Sequence, residues 1–257
     1  MEERIARVPT SDGWMETFIS HPGDGQSAPA VIVYMDIWGL REELFEVARG
    51  IAGMGYYCAV PDLYYRQGRI RQEFRDPNGR MVSFSRLAKA QQDAVRAPHT
   101  KLSDAQALDD TRALLHFMDA GEPVRHGPAG CVGFCMGGRV AIRVAGALPG
   151  RFRACACLHG SNLVTDRGDS PHLGLANAEG ELYCGFAKLD PFASEETIRT
   201  IGEIMRRAKA KYRFEIHAGA DHGYALPERD IYDESAAKRD SEIIFSMFDR
   251  QLRTAAP

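Results

Sequence analysis

Several kinds of sequence signal are absent from this chain of 257 residues. The longest apolar run, residues 28–35, is far shorter than the roughly 18 residues that suggest a membrane-spanning helix. The first residues, MEERIARVPTSDGW, contain no apolar segment of the kind that secretory signal peptides carry. We therefore expect a cytoplasmic protein that does not enter a membrane.

Basic clusters and metal-binding motifs are also missing. The formal net charge is −3, and no basic run is longer than Arg206-Arg207, which argues against nucleic acid as a partner. Neither CxxC nor HExxH occurs, so we predict no metal and no cofactor. Five of the six cysteines stand in apolar, strand-like contexts, where a reduced thiol packs as a small apolar side chain: Cys58, Cys131, Cys155, Cys157 and Cys184.

The chain does contain a repeated alternation of strand-like and helix-like segments. Strands are predicted at 14–20, 30–35, 57–60, 129–134, 153–158, 182–186 and 213–217, and helices at 41–54, 102–120, 136–148, 195–209 and 234–252. Ser103 is a predicted helix N-cap and Gly55 a predicted C-terminal cap. This order predicts an α/β fold with a mostly parallel sheet and helices on both faces. No linker divides the chain, so we predict a single domain over residues 1–257.

Two stretches interrupt the alternation. Residues 66–100 are polar and irregular, and residues 160–180 read as a loop. Long loops in a compact domain often serve as lids or binding loops. A tolerated surface insertion is the alternative, and the sequence leaves both interpretations open.

The sharpest motif is the segment from Gly133 to Gly138, GFCMGG, which follows an apolar strand and opens a helix. This is the context of the nucleophile elbow, the strained strand-to-helix turn written GxSxG, with Cys135 in place of serine. A thiol at a helix N-terminus is stabilised as the thiolate, so we predict Cys135 to be a nucleophile. A buried cysteine in a glycine-rich turn is the alternative. The glycine spacing matches neither a dinucleotide-binding fingerprint nor a P-loop.

An elbow nucleophile requires an acid and a base from later strands, in that order along the chain. Asp190 follows the strand at 182–186 and precedes a proline, and His222 lies in the loop after the last strand. Asp190 as a cap of the following turn, and His217 as the base, are the alternatives. His159 closes another strand and is a candidate to line the site, although local hydrogen bonds explain it equally well.

Together these segments resemble the dienelactone hydrolase family, a branch of the α/β-hydrolases with a cysteine nucleophile. The resemblance runs from about Val31 to the C-terminal helix. It rests on the elbow and on four further segments: Asp36–Gly39, Gly55–Tyr64, Ala187–Asp190 and His222–Tyr224. It implies an α/β-hydrolase fold with a sheet of about eight strands, and the opening of esters and lactones through an acyl-thiol intermediate.

Carried over to this chain, the resemblance implies Cys135 as nucleophile, His222 as base and Asp190 as the residue that orients the base. The oxyanion hole would be formed by the backbone N–H groups of Ile37 and Met136. Further residues are expected to contact substrate: Asp36, Trp38, Arg66, Arg86, His159 and Tyr224.

Two departures from the family pattern bear on the substrate. Asp36 stands where the family enzyme has a glutamate that contacts the resting thiol. It is a candidate to hold the thiol protonated, or it caps the following loop. Leu226 stands where the family has an arginine that binds the substrate carboxylate, so acidic substrates are not expected to be strongly favoured unless Arg66 or Arg86 replaces that residue.

The sequence thus predicts a hydrolase of a small-molecule carboxylic ester or lactone, acting as a monomer or homodimer. A second hypothesis is a non-catalytic or redox-sensing protein on the same fold, in which Cys135 is a low-pKa sensor thiol. Ester turnover that depends on Cys135 favours the first hypothesis, and peroxide sensitivity without turnover favours the second. Another small-molecule enzyme on the same fold is a third possibility, since a fold does not determine its chemistry.

Overall fold

The structure, a computed structural model, describes residues 1–208 and 210–253. Eight strands form one sheet in the order β1-β2-β4-β3-β5-β6-β7-β8. The strands are β1 (Glu2–Thr10), β2 (Gly13–His21), β3 (Ala30–Tyr34), β4 (Tyr57–Pro61), β5 (Ala129–Phe134), β6 (Phe152–Leu158), β7 (Glu181–Ala187) and β8 (Tyr212–His217). Strand β2 is antiparallel to both of its neighbours, and all pairs from β4 to β8 are parallel. The predicted fold class, the α/β-hydrolase fold with a mostly parallel sheet, is confirmed.

The described residues contain six α-helices. They are α1 (Glu42–Gly53), α2 (Lys89–Thr100), α3 (Asp104–Gly121), α4 (Met136–Ala147), α5 (Glu195–Arg207) and α6 (Glu234–Phe248). Ser103 caps α3, because its hydroxyl accepts a hydrogen bond from the backbone N–H of Gln106 over 3.2 Å. Gly55 follows α1 with a φ of 90°, a conformation that glycine adopts without strain. Both caps were predicted.

The central strands are buried on both faces, and every residue of β3, β4 and β5 is buried. Strand β4, the next strand in the chain after β3, pairs with one edge of β3. Strand β5 pairs with the opposite edge of β3, so the strand order reverses at this point. In open α/β sheets, a crevice forms at such a reversal of strand order, at the carboxyl ends of the strands. The loop after β3 and the elbow after β5 therefore meet at one edge of the sheet.

Residues 66–100 form a small second core over this edge. Trp38 after β3 is buried together with Met81, Leu87 and Val95. Met81 pairs with the loop after β8: its N–H donates to the carbonyl of Glu228 over 2.8 Å, and its carbonyl accepts from the N–H of Asp230 over 3.0 Å. We call residues 71–87 the covering segment. It closes one side of a cavity at the sheet edge.

Candidate active site

The turn at Cys135 is strained in the way that an elbow requires. Cys135 has φ 54° and ψ −112° and immediately precedes the first residue of α4. A Cβ on Gly133 would lie 2.0 Å from the carbonyl oxygen of Gly137, and one on Gly137 would lie 2.2 Å from that of Tyr34. Only glycine fits at these two positions, because any side chain would collide with backbone. The strain places the thiol at the N-terminus of α4.

The structure brings the predicted acid and base together. Asp190 follows β7, and its Oδ2 lies 2.8 Å from Nδ1 of His222 in the loop after β8. The other carboxylate oxygen accepts the N–H of Phe192 over 2.7 Å, so both oxygens are engaged. The Asp190 side chain is fully buried. A carboxylate on Nδ1 keeps the other nitrogen, Nε2, available for chemistry in the cavity.

His222 and the thiol are electrostatically coupled. Burial disfavours the imidazolium, but the negative charge of a Cys135 thiolate and the hydrogen bond that Asp190 accepts from Nδ1 outweigh burial and raise the pKa of His222 to about 10. Sγ of Cys135 also lies 3.8 Å from Oγ of Ser161, in hydrogen-bonding geometry. Within the described part of the chain, Nε2 of His222 is buried and has no hydrogen-bond partner.

The two predicted oxyanion-hole residues belong to different elements of the fold. Met136 is the first residue of α4, where backbone N–H groups have no partner within the helix. Ile37 lines the cavity from the loop after β3. The Tyr64 hydroxyl lies between the two residues, at 3.2 Å from the carbonyl of Ile37 and 3.4 Å from the sulfur of Met136.

Asp36 lines the cavity, and its carboxylate is fully engaged. It accepts two hydrogen bonds from Arg41, over 2.7 and 2.9 Å, and one from the N–H of Trp38 over 3.0 Å. Arg41 is also paired with Glu43, over 2.6 Å, and all three charged side chains are buried. Asp36 therefore makes the loop-capping contact considered for it, and it also belongs to an ion-pair network that the sequence did not indicate.

Three residues expected to contact substrate lie outside the cavity lining. Arg66 is paired with Asp110, over 2.8 Å, and with Asp12 on the protein surface. Arg86 reaches Asp230 over 3.1 Å, and its side chain is mostly exposed. The Tyr224 hydroxyl donates to the buried carboxylate of Asp240 over 2.5 Å. These three side chains serve as structural contacts because each already has a partner that holds it away from the cavity.

His217, the alternative base, is also committed to a structural contact. Its Nε2 lies 2.7 Å from Asp240, which accepts hydrogen bonds from Tyr183 and Tyr224 as well. The pair lies beside the active-site loop and does not line the cavity.

The cavity has a volume of about 250 Å³. Its lining includes Cys135, Ser161 and His222, and the ring of Phe192 packs against that of His222. The region 66–100 contributes a further group of lining residues: Ser83, Phe84, Ser85, Arg96, His99 and Thr100. The lining is mostly apolar, as expected for a small-molecule site.

Arg229, like Ser161, lines the cavity although the sequence did not indicate it. Its side chain is buried in the cavity wall and stacks on Trp38, with 4.5 Å between Cζ and the ring centroid. Within residues 1–208 and 210–253, neither Nε nor Nη1 of this guanidinium has a hydrogen-bond partner. Burial lowers the pKa of Arg229 from its usual range. Nothing in the sequence distinguishes Arg229 from the other arginines, because its position in the cavity depends on its pairing with the covering segment.

The sheet order and the strained strand-to-helix turn are those of the α/β-hydrolase fold, with Cys135 at the turn. A model of the dienelactone hydrolase family matches residues 15–252, and the chain belongs to that family. The fold and family that the sequence predicted are thereby confirmed.

Similar proteins agree with this assignment. Curated relatives from Synechocystis and Methylorubrum extorquens, both named "putative carboxymethylenebutenolidase", are 23% and 28% identical. The alignments cover 97% of both chains for the first, and 90% of this chain and 75% of the relative for the second. A crystal structure titled "putative dienelactone hydrolase" from Klebsiella pneumoniae superposes with a TM-score of 0.82 at 22% identity, covering 97% of this chain and 98% of the other. At this identity, the superposition establishes the fold.

Two candidate features are absent from the described residues. No helix among them is long and apolar enough to cross a membrane. No group of three or more histidine, cysteine, aspartate or glutamate side chains within residues 1–208 and 210–253 is arranged to hold a metal ion.

Proposed function

We propose that this protein hydrolyses a carboxylic ester or lactone through an acyl-enzyme formed on Cys135. The observation that carries the proposal is the joint placement in one cavity of a strained helix-terminal thiol and of His222, whose ring is held by the buried Asp190. Membership of the dienelactone hydrolase family and the names of the relatives support the same reaction class.

In acylation, the Cys135 thiolate attacks the carbonyl carbon of the substrate. The N–H groups of Ile37 and Met136 are proposed to hold the oxyanion that forms. The C–O bond then breaks, and the leaving alkoxide takes a proton from Nε2 of the His222 imidazolium. For a lactone, this leaving alkoxide stays attached to the acyl group.

Acylation also changes His222. While the thiolate is present, its charge raises the pKa of His222, so that the imidazole is protonated and suited to act as an acid. A thioester carries no charge, so this stabilisation disappears after acylation. His222 then becomes a better base for activating water, which is what deacylation requires.

We propose that the substrate carries an anionic group, such as a carboxylate, that contacts Arg229. A buried guanidinium with unpartnered nitrogens is costly unless an anion or hydrogen-bond acceptor compensates it. The Asp36 charge favours the Arg229 guanidinium through space but does not outweigh its burial, and the Asp36 oxygens are hydrogen-bonded to Arg41 and Trp38 instead. Arg229 therefore replaces Arg66 and Arg86 as the candidate for recognising an acidic substrate.

The acyl-enzyme is tested by mixing the protein with an aryl ester, such as p-nitrophenyl acetate, and following product release within the first turnover. We expect a burst of about one product per active site and an acyl group on the peptide that contains Cys135. Cys135→Ala should abolish both, while the matched control Cys58→Ala should retain both, since Cys58 is buried far from the cavity lining. Peroxide-sensitive labelling of Cys135 without ester turnover would favour the redox-sensor hypothesis.

A further inference from the structure

His159 occupies an unusual position beside the proposed catalytic base. It follows β6 directly and has a φ of 38°, which is strained for a side chain other than glycine. Among the described residues, only Cys135 and Asn162 share this property outside glycine. The three lie at the carboxyl ends of β5 and β6, where the cavity is. Strain concentrated at a site is a pointer to function.

The imidazole of His159 is buried without hydrogen bonds. The residue is 1% exposed, and neither Nδ1 nor Nε2 has a partner among residues 1–208 and 210–253. Burial, reinforced by the charges of His222 and Arg229, holds the pKa of His159 well below its ordinary value. The ring is therefore neutral, with one N–H donor and one lone pair. Buried polar groups of this kind are rare and call for an explanation, such as a bound water.

The ring also lies next to His222. The two ring centroids are 5.1 Å apart with an interplanar angle of 72°, and both residues line the cavity with Cys135. Tyr224 and Phe134 pack against other parts of the His159 ring. Two imidazoles, each with an unpartnered nitrogen, are thus adjacent to the proposed acyl-enzyme position.

We propose that His159 binds the water molecule that hydrolyses the acyl-enzyme, and this role rests on the proposed function. One water hydrogen is donated to Nε2 of His222 and the other to the lone pair of His159. The water oxygen attacks the acyl carbonyl carbon while its first proton passes to His222. The C–S bond then breaks, its electron pair returns to Sγ of Cys135, and His222 returns the proton to the thiolate. The carboxylic acid leaves, and His159 undergoes no net change in protonation.

A purely apolar packing role does not explain this residue. Phenylalanine would keep an aromatic ring here without two unpartnered nitrogens, whose burial without hydrogen bonds is costly. Histidine at this position therefore lowers the stability of the fold, and a function in the cavity explains why it is present.

The test compares wild-type protein with His159→Phe in the aryl-ester burst experiment. We expect the burst to keep its amplitude and rate in the variant, while steady-state turnover falls roughly tenfold or more. Mass spectrometry should show the acyl adduct on Cys135 accumulating. Hydroxylamine, a nucleophile that does not depend on a bound water, should release the acyl group at similar rates from both proteins. His126→Phe, at an exposed position near the opposite ends of the strands, is the matched control and should behave as wild type.

The split between the two half-reactions separates a role in the reaction from a structural one. A structural role predicts that acylation, deacylation and the melting temperature of His159→Phe fall together, whereas the proposed role predicts a loss of deacylation alone. Deacylation at the wild-type rate in His159→Phe, or an equal loss of acylation and deacylation, would overturn the proposal for His159 alone. A wild-type protein that never forms the adduct on Cys135 would overturn both this proposal and the acyl-enzyme.

Discussion

The thiol of Cys135 is hydrogen-bonded to the hydroxyl oxygen of Ser161, with 3.8 Å between Sγ and Oγ. Ser161 is in turn held by the elbow, because its N–H donates to the carbonyl of Cys135 over 3.2 Å. The two residues thus form a reciprocal contact in which the neutral thiol donates to Ser161. Under the proposed mechanism, this proton passes to His222 when the thiolate forms.

Ser161→Ala should make the thiol more reactive, because it removes the acceptor that holds the proton. A neutral hydrogen bond contributes about 0.5–1.5 kcal/mol, so we expect alkylation by iodoacetamide at neutral pH to accelerate roughly 2- to 10-fold. Ser161→Thr retains the hydroxyl and is the matched control. An unchanged or slower alkylation of the alanine variant would show that Ser161 does not hold the thiol proton.

The pKa of His222 should depend on Cys135. In wild type, the thiolate and Asp190 raise it to about 10. Cys135→Ala removes the thiolate charge, and we expect the pKa of His222 to fall by roughly one unit or more. A titration of the imidazole by NMR in both proteins measures the difference. Equal titration midpoints would mean that the thiol and the imidazole do not interact, which contradicts the switch from acid to base on acylation.

Asp36→Asn should affect stability more than thiol reactivity. The substitution breaks a buried ion pair with Arg41, and we expect a loss of about 3 kcal/mol in the free energy of unfolding, measured in urea. The pH profile of Cys135 alkylation should stay near that of wild type, because Arg41 already offsets the Asp36 charge. Glu43→Gln alters the same network without touching Trp38 and is the control. Faster alkylation of Asp36→Asn at lower pH would instead support the gating role considered from the sequence.

Arg229→Gln tests recognition of an acidic substrate. We compare kcat/KM for a neutral ester with that for its analogue bearing a free carboxylate. Wild type should favour the acid by roughly 100-fold, about 2.7 kcal/mol of transition-state binding, and the variant should lose this preference. Arg66→Gln and Arg86→Gln are the controls, since neither side chain lines the cavity. A preference for the acid that survives in Arg229→Gln would assign recognition to another group.

The sequence predicted those parts of the site that depend on local rules. The elbow is local, since two glycines and a strand-to-helix change determine the backbone at Cys135. Asp190 and His222 followed from the order of strands, because the carboxyl ends of parallel strands share one edge. Arg229 could not be predicted in this way. Its orientation is set by the covering segment, which lies far away in sequence and pairs with Arg229 through Met81.

Two elements were missed for related reasons. Strand β1 is an edge strand whose residues are mostly exposed, and four of its nine residues are charged, so it lacks the apolar pattern of a buried strand. Helix α2 buries only Val95 and Pro98 and contains that proline near its end. The helix predicted at 195–209 ends at Arg207, and Lys209 lies outside the described residues.

The covering segment, which closes one side of the cavity, pairs with the loop after β8. Entry of a substrate past this segment is therefore linked to the placement of His222, the proposed base. Arg75 reaches Glu228 over 2.5 Å, and the N–H of Ser83 donates to the carboxylate of Asp230 over 2.9 Å. The same loop carries His222. A displacement of the covering segment that admits a bulky molecule must therefore break these contacts or pull on the loop that holds the imidazole. The position of the His222 imidazole is therefore expected to depend on the contacts that the covering segment makes with this loop, although the two are far apart in sequence.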